Sequence, residues 1–197
     1  KGSALQGKLS LGGELPLTAT FKSGAPTGSF DAVALPAFEL RLASATGARK
    51  AEGTLRANLG LKPAKSALSL EALDLKATLQ DKALKPMAIG ARGSASASPQ
   101  AASWTLAGQV NNNAFNIDGS ANLAGSTPFV KAQARFDALD LNTLLPPAAS
   151  GGGAAPGTPA AADAPVDLSA LRAPNANVAF RAGSPVYRQY RVADARG

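Results

Sequence analysis

Neither cysteine nor histidine occurs among the 197 residues. The first absence excludes a disulfide framework, a zinc knuckle and a thiol nucleophile. The second removes the commonest general base and metal ligand. Aromatic residues make up only 5% of the chain, and the 45% hydrophobic content is carried mainly by Ala, Leu and Val. No run approaches the roughly 18 apolar residues needed to span a bilayer as a helix. The chain opens mid-pattern at Lys1-Gly2-Ser3, without initiator Met or signal peptide. It therefore reads as a segment of a longer protein whose anchor or export signal lies outside it. Catalytic motifs are missing too: there is no G-x-S-x-G, H-E-x-x-H or P-loop. Gly151-Gly152-Gly153 lacks the Lys-Ser/Thr pair and the helix of a phosphate cradle, and reads as linker. Acidic residues fall mostly at turns, caps and outward strand positions, and Asp118 and Asp137 make a carboxylate pair only by assumption. The expectation is a protein that is not an enzyme, with no cofactor and no metal site.

What the chain does contain is glycine (20), proline (14) and a strong period-two alternation. Residues 8–21 place Leu9, Leu11, Leu15, Leu17 and Phe21 on one parity around Gly12-Gly13, as a hairpin or a glycine-kinked strand. The pattern returns in Phe38-Glu39-Leu40-Arg41-Leu42 after Pro36, and through Leu55, Leu59 and Leu61. Residues 66–80 are leucine-rich without Gly or Pro. Leu68 and Leu70 share one parity, and Leu73, Leu75 and Leu79 the other. That slip suits a β-bulge, or strand halves facing opposite ways; a helical stripe through Leu68, Ala72, Leu75 and Leu79 also fits. Residues 103–123 form the clearest hairpin, turning at Asn111-Asn112-Asn113. The prediction is a mainly β fold: a long, curled antiparallel meander of roughly ten segments forming an apolar groove, with one or two short helical turns near the C-terminal end.

A strand with one apolar and one polar face belongs to a sheet covered on one side. A sandwich or closed barrel is the ordinary way to cover it. Inward positions here are often small, however, among them Gly93, Ala95, Ala97, Gly108, Gly119 and Ala121, and small residues leave a furrow. Two acyl chains of about sixteen carbons cost on the order of 25 kcal/mol to expose to water, so lipid has reason to enter. The candidate lining is Leu9, Leu11, Leu17, Phe38, Leu40, Leu55, Leu59, Trp104, Leu106, Phe115, Ile117 and Phe136. The net charge of +7 is spread singly, as on a solvated sheet face. Only residues 181–196, with Tyr187 and Tyr190 interleaved, are dense enough to suggest an anionic surface, and nucleic acid is not an expected partner.

The organising stretch is 129–180. A strand-like segment leads into Asp140-Leu141-Asn142-Thr143-Leu144-Leu145-Pro146, an Ala/Pro/Gly-rich insert follows, and Asp167-Leu168-Ser169-Ala170-Leu171 repeats the signal before a strand near Asn177-Val178-Ala179-Phe180. Each D-L-x-x-L reads as one helical turn with an Asp N-cap. This quarter of the chain resembles the C-terminal end of the β-rich region of the AsmA family of bacterial envelope proteins, although Asn142-Thr143 stands where a charged-aromatic pair is more usual. The resemblance implies a periplasmic protein held to the inner membrane by a helix outside this segment. It further implies bridge-type phospholipid transfer along a β-groove, with a role in outer-membrane assembly. The expected organisation is a β-groove over 1–146, a disordered tether over 147–165 and a continuation over 166–197. Phospholipid or another acyl lipid is the expected partner. The alternative is a non-lipid scaffold whose open sheet edges accept an envelope protein.

Overall fold

The computed structural model describes residues 3–13, 16–47, 49–81, 85–125, 127–145, 175–191 and 195–196. The expected tether and the second D-L-x-x-L turn lie outside the described residues.

Alternation produces strands, and glycine, proline and asparagine clusters turn them. The main sheet begins with β1 (Leu5–Leu11) and β2 (Leu17–Ser23), an antiparallel hairpin about Gly12-Gly13. A short β3 (Thr27–Ser29) pairs with the start of β4 (Ala32–Thr46), and β2 pairs with the rest of it. Then β5 (Arg49–Lys62), β6 (Ala67–Asp81), β7 (Met87–Ala97), β8 (Ala101–Val110), β9 (Asn113–Asn122) and β10 (Phe129–Phe136) meander, each antiparallel to its predecessor. A 3-10 turn at Pro63–Lys65 closes the β5–β6 hairpin, with Ser66 left-handed at φ 46°.

Beyond β10 come β11 (Leu139–Asp140), a second 3-10 turn at Leu141–Thr143, β12 (Asn175–Ala182), β13 (Pro185–Tyr187), β14 (Tyr190–Arg191) and β15 (Ala195–Arg196). The meander departs from the antiparallel expectation here, because β12 lies parallel to β10. Residues 137–174 separate the two strands, ample length for the crossover that a parallel pair requires. β15 closes on the end of β12, while β11, β13 and β14 make a separate three-stranded ribbon. Among the described residues the main sheet is an open line running from β1 to β15, neither a barrel nor a sandwich.

Residues 66–80 are a strand, and the parity slip is a bulge. Pairing with β7 passes from Leu70–Ala95 to Leu73–Gly93, leaving Glu71 and Ala72 opposite one residue. Ala72 takes φ 51°, so Leu68, Leu70, Leu73, Leu75 and Leu79 all face one way. β4 carries a matching bulge between Leu35 and Phe38, with Ala37 also at φ 51°. Pro36 sits inside it, where its missing N–H removes no ladder bond. Leu35 pairs with Leu59 and Leu59 with Leu70, so the two bulges fall at one level across β4, β5 and β6. They crease the sheet along a common line.

Candidate functional site

The register decides which side chains share a face. One row reads Phe21, Leu40, Leu55, Leu75, Ala91, Gly108, Phe115, Phe136 and Ala182 on successive strands. Two rows further along the same face lie Leu35, Leu59, Leu70, Ala95, Trp104, Gly119, Ala132 and Val178. Alternation extends this face in both directions; the charged residues on it in the described paired strands are Arg49 and Asp81, a cross-strand ion pair of 2.7 Å at the ends of β5 and β6. All the candidate lining residues lie on it. Leu9 and Leu11 are at its β1 rim, 57% and 52% exposed; Phe115 is buried and the others, Leu17 to Phe136, are half-buried. The β6 leucines belong to the face as well. They were absent from the expected lining because the slip at Glu71-Ala72 disguised their parity.

Small and large residues interlock along this face. Trp104 lies over Gly119, so that a Cβ there would stand 2.5 Å from the indole Cζ2. Phe115, Phe136 and Phe180 form a tilted aromatic run with centroids 6.2 and 5.6 Å apart. Among the described residues no large side chain is fully buried. Substantial contacts join hydrogen-bonded neighbours rather than layers. Among the described residues, cover comes at the β8–β9 turn, where Asn113 is 3% exposed. Its Oδ1 accepts from Asp140 N at 2.5 Å, and its Nδ2 donates to Thr143 Oγ1 at 2.8 Å. Asp140 caps the Leu141–Thr143 turn by accepting from Asn142 N at 2.9 Å. The Lys85 ammonium donates to the Asn142 carbonyl from the other side. The first D-L-x-x-L motif is thus a latch across one end of the strands.

The opposite face is polar, and its charges are ordered. Lys22, Glu39, Arg56, Asp74 and Arg92 are cross-strand neighbours in a single row of alternating sign. The Glu39 carboxylate, 8% exposed, accepts from Arg56 at 2.8 Å and Arg41 at 2.7 Å, with Lys22 at 3.4 Å. The Arg56 hydrogen bond, helped by Arg41 and Lys22, outweighs desolvation and holds Glu39 down at about 2. Arg92 pairs with Asp74 at 3.1 Å.

A hollow of about 900 Å³ spans β4 to β9 at one end of the strands, and one of about 600 Å³ lies at the other. In the larger, Ala32 and Ala34 flank Val33, and Ser120 and Asn122 flank Ala121. The same hollow is lined by the apolar-face row Val33, Leu61, Leu68, Ala97, Ala102 and Ala121. Asp118 sits in β9 opposite Thr105 and Gln133, and Asp137 in the bend after β10; nothing draws them together. Among the described residues no group of acidic side chains is arranged to hold a metal ion. Among the described residues no helix is long and apolar enough to cross a membrane. Comparison with family models, with curated proteins and with solved structures finds no match to the chain.

Proposed function

We propose that the chain is a section of an AsmA-like periplasmic protein that binds or conducts phospholipid acyl chains along its apolar sheet face. The activity is passive rather than enzymatic, and the inner-membrane anchor belongs to sequence outside this segment. One observation carries the reading: an apolar face continues across the whole line of strands, its charges confined to the Arg49–Asp81 pair at one end. Among the described residues the Asp140–Thr143 latch alone packs over it. Acyl chains supply what such a face lacks, at about 0.8 kcal/mol per CH₂ removed from water. Sliding from row to row exchanges one apolar contact for another, clear of the Arg49–Asp81 pair at the strand ends.

Native mass spectrometry of gently purified protein should show co-purified phospholipid. Replacing Leu106 and Ile117 by Asp should abolish that signal. It should cost less stability than two such changes in a dense core, because both positions are half-buried. Lipid-free wild type, or a double variant that unfolds outright, would count against the reading. The flank of β1, which among the described residues pairs only with β2, favours the scaffold alternative, in which a partner strand adds to that edge. Cross-linking from Lys8 that traps a protein partner in preparations free of lipid would select it.

A further inference from the structure

We infer that the ribbon of β11, β13 and β14, with the strand pair at its base, is a docking tip for an anionic phospholipid bilayer surface. The tip is tied together by Asn142, whose Oδ1 accepts from Arg188 N at 2.7 Å and whose Nδ2 donates to Arg188 O at 3.4 Å. That clasp fixes the β13–β14 turn against the Leu141–Thr143 turn. Three large side chains are left in solvent on this small unit: Tyr190 at 65%, and Tyr187 and Leu145 at 42% each. Tyr187 and Tyr190 face each other across the hairpin, and the Arg188 guanidinium stands 5.4 Å from the Tyr187 ring centroid. Tyrosines beside a cation, with an aliphatic residue at hand, suit the headgroup layer, where amphipathic rings settle.

The base of the tip supplies charge. Arg135 of β10 and Arg181 of β12 are direct partners in the parallel pair, both exposed. Like charges placed opposite one another destabilise a sheet. Elsewhere on this face the row alternates in sign, with carboxylates at Glu39 and Asp74. Here, among the described residues, no carboxylate lies within ion-pair distance of either arginine. Lys131 adds a third cation on the same face of β10, and position 196 pairs in register with Arg181. Lipid phosphates neutralise such a cluster, and the exposed tyrosines give it purchase. The inference stands whether or not the apolar face carries lipid.

Vesicle flotation tests it with the intact chain. Vesicles of equimolar phosphatidylglycerol and phosphatidylcholine should retain the protein, with release as salt rises, whereas pure phosphatidylcholine vesicles should not. Arg135→Gln with Arg181→Gln should weaken partition on the order of thirtyfold. Tyr190→Ser should weaken it severalfold with little change in salt dependence. Lys62→Gln, at the far end of the strands, should leave it unchanged. Equal retention on neutral vesicles, indifference to the arginine pair, or preference for duplex DNA over anionic vesicles at the same salt would overturn the inference. Native mass spectra of the arginine double variant should still show any co-purified lipid, which separates failure of the tip from failure of the acyl-chain reading.

Discussion

Gly119 leaves Trp104 so little clearance that a methyl group would press on the indole and stand 2.9 Å from the Lys131 carbonyl. Gly119→Ala should therefore cost about 1–3 kcal/mol, seen as a lower urea midpoint, even though alanine restricts the unfolded chain. Glu39 gives a second test at the level of a single side chain. Its folded pKa of about 2 lies below the usual value of 4.5. The stability it contributes is complete above that usual value and is lost as pH falls through the folded one. Urea midpoints should thus drop between about pH 4.5 and pH 2, and Glu39→Gln should lower the plateau and flatten that drop. The sequence offered no sign of this cluster. Arg41 shares the face of Glu39 two residues along β4, but Lys22 and Arg56 stand in other strands, and only pairing register carries them to the same carboxylate.

Bulges act on whole strands. Ala72 spends its unfavourable left-handed conformation keeping both halves of β6 on the apolar face. Deleting it would send Leu68 and Leu70, partly covered at best, to the side of Glu39 and Asp74, at roughly 1 kcal/mol each, and would break the register with β7. Circular dichroism and size-exclusion chromatography should then show a largely unfolded or aggregated protein. This feature was legible, because two leucine parities separated by Glu71-Ala72 admit a bulge. Its partner in β4 was hidden by Pro36, which reads as the start of a strand rather than its middle. The Asp140 cap was also readable from D-L-x-x-L, although the turn it caps is 3-10. The parallel placement of β12 was not, since strand direction depends on the path of the intervening chain and leaves no trace in alternation.

At the scale of the molecule, period-two patterning defined a one-faced sheet, and among the described residues no second layer meets it. Side-chain counts could not decide that, because sandwich and open sheet share the same alternation. A ligand that covers the face stabilises the fold by mass action, about 2.7 kcal/mol at a hundredfold excess over Kd. Stripping lipid with mild detergent should therefore lower Tm by on the order of 5–10 °C for a chain of this size, and adding phospholipid back should restore it. An unchanged Tm would weigh against the acyl-chain reading.

The strands of the main sheet form a queue in which each leans on its immediate neighbours. Cooperation in such a molecule is local, as in a row of dominoes. β1 can let go without consulting β9, while β5 and β6, held on both flanks by long partners, must wait. Amide protons should exchange in order of distance from the rims, giving a graded fraying in place of a single all-or-none collapse.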